Sequence, residues 1–126
     1  MWPRGAGGHG GRPSPRSQRG MVTVELAVGV VTVVVVTACL VSLAMLGVAQ
    51  SACAESSAQL ARQSARGDAR AVQAARDRAP GGARISIDRQ AGGVEASVTL
   101  GVRVLGLGEV EVGAQAWAAY EPGQGP

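Results

Sequence analysis

The 126-residue chain has no lysine, no phenylalanine, a single histidine and only two cysteines. Each absence removes a class of chemistry. His9 stands alone in the N-terminal segment, so no histidine is left to activate Ser51, Ser56, Ser57 or Ser64, and without lysine there is no Ser/Lys pair. Cys39 and Cys53 lack the spacing of zinc ligands, the acids form no calcium loop, and the glycines at 7, 8, 10 and 11 lack the Lys and Ser/Thr of a phosphate loop. The carboxylate pairs Asp88/Glu95 and Glu109/Glu111 fall on the open polar side of strand-like segments, where acids are solvated. No enzymatic activity, cofactor or metal is expected.

The cysteines are fourteen residues apart in a helix-compatible stretch, about 21 Å, which is too far for them to pair with each other. Cys39 reads as a small packing residue facing lipid or a neighbouring helix. Cys53 reads either as packing or as an accessible thiol able to cross-link to a partner. Aromatics are nearly missing as well: beyond residue 50 there are only Trp117 and Tyr120. A domain there must build its core from Val, Ile, Leu and Ala, and at this size such a core supplies only about 3–5 kcal/mol.

Charge is also missing where a nucleic-acid surface would need it. The formal net charge is +3, but Arg4, Arg12, Arg16 and Arg19 precede Gly20 with no acid among them, and after Glu25 eight arginines are matched by eight acids. The neutral outer part excludes a nucleic-acid partner as the expected function.

What the chain does have is a long apolar run. From Leu26 to Ala49 there is no charged residue, and twenty-four helical residues rise about 36 Å, enough to cross a bilayer with some tilt. The valine density would favour a strand in water, but an isolated span in lipid must satisfy its own backbone, which dictates helix. The arginines before it predict a cytoplasmic N-terminus and an outer C-terminus.

The expected organisation is α+β in a single-pass membrane protein: a basic disordered leader over 1–20, a transmembrane helix over 21–49, an extracytoplasmic helix over 50–79, a small antiparallel meander over 80–121 and a disordered tail over 122–126. In the outer helix, Leu60, Ala61, Ala65, Ala69, Val72 and Ala79 form a narrow apolar stripe, while Arg62, Arg66 and Arg70 stack like charges at four-residue steps. Pro80-Gly81-Gly82 stops the helix. The period then changes to two: Ile85 and Ile87, then Val94 to Val104, then Val110 to Ala118 alternate with polar or small residues, with glycine-bearing turns between them. Three strands with one apolar face result, and the stripe around Leu60 and Val72 is the helix available to cover it. Trp117 has the parity of the polar face, which suits packing across the sheet, against the membrane surface, or as an interface anchor.

The most informative residue is Glu25, an acid at the entrance of the apolar run. Met21 and Glu25 are one helical turn apart, so a cut after Gly20 would bring a new ammonium beside the carboxylate. An acid at the bilayer centre costs about 2.5–3.5 kcal/mol on insertion scales, and an adjacent cation, its own or a neighbour's N-terminus, relieves much of that. Gly20, lacking a Cβ, suits close approach of a protease to the backbone.

A basic leader ending in Gly20, then Met21, then Glu25 five places in, then a long apolar helix resembles the type IV prepilin signature. Within that group the chain resembles the TadE-like minor pilins, or pseudopilins, of the tight-adherence system, of the kind found in high-GC actinobacteria. The residues that carry the likeness are Gly20 to Ala27, the Ala/Arg helix with Ala65-Arg66-Gly67-Asp68, and the strands ending in Ala118-Ala119-Tyr120-Glu121. The resemblance implies processing at Gly20 and Met21 by a membrane prepilin peptidase on the cytoplasmic side. It also implies assembly through the helix, with Glu25 as the assembly residue, among other pilin subunits on a pilus assembly platform in the cytoplasmic membrane or in an extracellular pilus. Leu26 stands where the small major pilins of that system carry tyrosine, and those lack a domain like residues 80–121, so the likeness is to a minor subunit. Three other readings use the same run: a secretory signal ending at Ala52-Cys53-Ala54, a lipobox at Val36-Thr37-Ala38-Cys39, and a single-pass anchor that is neither processed nor assembled.

Overall fold

The structure is a computed structural model that describes residues 1, 3–8, 10–11 and 15–125, with the backbone alone at Ser17. His9 and Arg12 of the expected leader, and Pro126 of the expected tail, lie outside the described residues. The elements are α1 (Pro15–Ala65), α2 (Ala69–Arg78), β1 (Arg84–Arg89), β2 (Gly93–Val104) and β3 (Gly108–Ala119). Long helix and three-strand antiparallel sheet make an α+β chain with, among the described residues, one helix long and apolar enough to cross a membrane. It divides into two compact units, Met1–Thr37 and Ala38–Pro126.

In the first unit α1 begins at Pro15, so the last residues of the expected disordered leader are helical. Proline is well suited to the first helical position, where its missing N–H would have had no partner and its φ is already helical. The apolar side chains that follow are uncovered on every side: Val24, Leu26, Val31 and Val34 are all more than 60% exposed. Two threonine hydroxyls at the start of the run bond back onto the helix itself. Thr23 Oγ1 donates to the Arg19 carbonyl at 2.9 Å and Thr32 Oγ1 to the Val28 carbonyl at 2.8 Å, which hides a polar group on an otherwise apolar surface.

In the second unit α1 buries Cys53, Ser57, Leu60, Ala61, Ser64 and Ala65. Their spacings of three, four, seven and eight define one helical face. Ser57 is tolerated there because its hydroxyl donates to the Ala54 carbonyl at 2.9 Å. This face lies on the apolar side of the sheet, against Ala96 and Val98, with Ile85, Ile87, Leu100 and Val112 among the partly buried residues around the cluster. The small Ala61 and Ala96 belong to this cluster, which contains no aromatic side chain.

The expected helix over 50–79 is two helices. Gly67 takes a left-handed φ of 72°, its N–H donates to the Ser64 carbonyl at 3.1 Å, and the Asp68 N–H donates to the Gln63 carbonyl at 3.3 Å. This pair of bonds is a Schellman stop, which glycine enters without a Cβ penalty. Asp68 then caps α2, accepting from the Ala71 N–H at 3.0 Å. The break resets the helical phase, so Ala69 of the expected stripe is exposed while Val72 and Ala75 turn toward the core.

The sheet is a β1-β2-β3 meander. Its register pairs Ile85 with Val98, Ile87 with Ala96, Val98 with Ala114, and Leu100 with Val112, keeping the apolar set on one face. β1 pairs only with Val94–Thr99, so beyond Leu100 the sheet narrows to the β2–β3 hairpin, which turns at Leu105-Gly106-Leu107. Two contacts set β3 along α1: Gln50 Nε2 donates to the Gly113 carbonyl at 2.8 Å, and Arg66 Nε pairs with Glu121 Oε1 at 2.8 Å. Eight residues of extended chain between those points span about 26 Å and sixteen helical residues about 24 Å, so β3 runs alongside α1 in the same direction.

Trp117 is on the polar face, and its ring lies over Gly93, where an added Cβ would come within 2.6 Å of Cζ2. That is packing across the sheet, one of the three uses its parity allowed. The described part of the expected disordered tail makes a turn, with the Gln124 N–H donating to the Glu121 carbonyl at 3.0 Å, and the Gln124 side chain covers Gly67.

Candidate functional site

Gly20, Met21 and Glu25 occupy consecutive turns of α1 and are all exposed. Met21, Glu25 and Gly29 follow at four-residue steps, which places them on one face. Gly29 was not singled out by the motif, although its four-residue step from Glu25 is visible in the sequence. It leaves a notch, since the position its Cβ would take faces open space. Glu25 stands between two shallow surface grooves, one bordered by Gly20, Met21 and Val24 and the other by Val22, Leu26, Gly29 and Val33. Among the described residues no cation forms an ion pair with it.

The helix start alters the electrostatics of this carboxylate. A macrodipole favours acids only within the first turn. With α1 beginning at Pro15, Glu25 lies nearly three turns in and gains little from it. Removal of residues 1–20 would make Met21 the helix start and bring the carboxylate to the end of the first turn, beside a free ammonium. The Gly20–Met21 peptide is itself inside regular helix, so a protease must unwind that turn to reach it.

The other candidates disperse. Of the stacked arginines, Arg66 meets Glu121, while Arg62 and Arg70 point to solvent. Asp88 and Glu95 are direct cross-strand partners, and Gln90 Nε2 donates to Glu95 Oε2 at 3.4 Å. Glu111 accepts from Arg84 Nη2 at 3.1 Å across the exposed face. Among the described residues no group of three His, Cys, Asp or Glu could hold a metal ion.

Of the two readings of Cys53, packing is the one the structure supports: the residue is fully buried between α1 and the sheet, and that burial pushes its pKa up. Both effects oppose cross-linking, since the thiolate is the reactive form. Cys39 is exposed on α1. Gln50, whose amide ties α1 to β3, carried no sequence signal, because a polar residue at the end of an apolar run is ordinary. Comparison with protein-family models, curated proteins and solved structures finds no match.

Proposed function

We propose that this chain is a minor pilin or pseudopilin of the TadE-like kind, anchored in the cytoplasmic membrane by one span with its N-terminus inside and its α+β domain outside. A prepilin peptidase removes residues 1–20, and the mature subunit joins other pilin subunits on an assembly platform, its role structural rather than enzymatic. The observation that carries this reading is the two-part use of α1. Its first half exposes a continuous apolar surface interrupted by one carboxylate, and its second half is the spine of a small domain. A surface of this kind is stable in lipid or against other helices, and the unpaired Glu25 supplies the polar element that sets the register between them.

The test is Glu25→Gln, which keeps the side-chain length and removes the charge. The expected outcome is a subunit still cut before Met21, as read by mass spectrometry of the mature N-terminus, but lost from pili or from a pilin-bearing membrane complex. Normal incorporation of the variant would refute the assembly role. An uncut N-terminus of the parent chain in cells containing the peptidase would reduce the protein to a plain single-pass anchor.

A further inference from the structure

The tip of the β2–β3 hairpin carries two apolar side chains that the domain does not use. Leu105 is 84% exposed and Leu107 76% exposed. Their position along α1 follows from the contacts already described. From Gly113, held by Gln50, the strand continues six residues to Leu107, about 20 Å, which corresponds to roughly thirteen residues of helix. The tip therefore stands near Ala38, at the start of the second unit. Burial agrees with this: Ala38, Ser42, Leu46 and Ala49 are half-buried on one face, whereas the neighbouring Leu40, Leu43 and Met45 remain more than half exposed. Val102, Val104, Val110 and Val112, the inward residues of the outer hairpin, are themselves buried or half-buried.

These residues of α1 belong to the uncharged run. About 20 residues cross the hydrocarbon core, and counted from Met21 they end at Leu40, just past Ala38. We propose that the hairpin tip is a second membrane contact, with Leu105 and Leu107 entering the headgroup–acyl boundary of the outer leaflet beside the helix. The inference rests on the membrane-spanning reading of α1.

The geometry also limits the depth. Arg103 and Glu109 are directly opposite each other one pair behind the turn, both exposed, and both outer strands have unpaired edges that lipid does not tolerate. Only the tip passes the headgroups. Leu107 N–H donates to the Val104 carbonyl at 3.2 Å, so the part that enters has one backbone donor already satisfied. A shallow wedge of this kind fixes how far the domain stands off the bilayer and which side of the helix remains open to neighbouring subunits.

The experiment uses the full chain in phosphatidylcholine/phosphatidylglycerol nanodiscs, with Trp2 and Trp117 replaced by Phe and a single reporter introduced as Leu107→Trp, Leu105→Trp or, in the span, Val35→Trp. Protection of Cys53 from a thiol reagent certifies the fold of each variant. Lipids brominated near the headgroup end of the acyl chain are expected to quench both tip reporters, lipids brominated near the chain end to quench Val35→Trp, and aqueous iodide to quench none of them. If Val35→Trp responds to bromine while the tip reporters respond only to iodide, the tip is in water: the inference fails and the span stands. Tip reporters shielded from both quenchers would mean a protein cover and would equally overturn it. Iodide quenching of Val35→Trp would overturn the spanning reading and this inference together.

Discussion

Leu60 is the largest fully buried side chain of the outer domain, the other fully buried ones being no larger than valine, and Leu60→Ala tests whether that domain depends on so small a core. The substitution removes three carbons, about 2.4 kcal/mol of transfer free energy at 0.8 per methylene. Adding the cavity left behind brings the cost into the usual range of about 2–5 kcal/mol. A core of this kind supplies only about 3–5 kcal/mol in all, so the substitution consumes most of it. Cys53 provides the readout, because a fully buried thiol reacts only when the domain opens. With Cys39 replaced by Ala and the full chain in nanodiscs, labelling of Cys53 by a maleimide is expected to accelerate at least 30-fold or so, since each 1.4 kcal/mol is a factor of ten. Leu43→Ala, on the exposed side of the same helix at 64% exposure, is the control and leaves the rate unchanged. Equal labelling rates for Leu60→Ala and its parent would refute the packing of α1 on the sheet.

Three further outcomes rest on local structure. Burial raises the Cys53 pKa above its ordinary value of 9.0, so below that pH both folded and unfolded chains hold the proton; above it the unfolded chain releases the proton first and stability falls until the folded thiol ionises. Denaturant midpoints are expected to drop above pH 9 in the parent and to drop less in Cys53→Ala. Asp68→Ala, which removes the α2 cap, is expected to cost about 1 kcal/mol, and Gly67→Ala, which imposes a Cβ on a left-handed residue, about 1–2 kcal/mol. Amide exchange over residues 69–78 measures both, and unchanged protection would refute the Schellman stop.

How much of this was legible in the sequence differs by element. The strands were readable residue by residue, because a period of two is local and each side chain's face follows from its parity. Glu25 was readable for the same reason, as a charge where the surroundings allow none. The helix break at Gly67 was only half legible: glycine marks a weak point, but whether the helix continues through it depends on the bonds from Gly67 and Asp68 back to Ser64 and Gln63. Cys53 could not be assigned, since the same residue just beyond an apolar run is exposed or buried according to what lies across from it.

The sequence alone determined the long uncharged helix, the lone acid at its entrance and the one-sided meander, all of which rest on composition and spacing within a few turns or strands. Tertiary structure decided which face of α1 is covered, that Cys53 and Leu60 share that cover, and that the leucines at the hairpin tip are left bare. Those depend on the register between a helix rising about 1.5 Å per residue and a strand rising about 3.3 Å, a relation set by contacts such as Gln50 to Gly113 that join residues far apart in the chain.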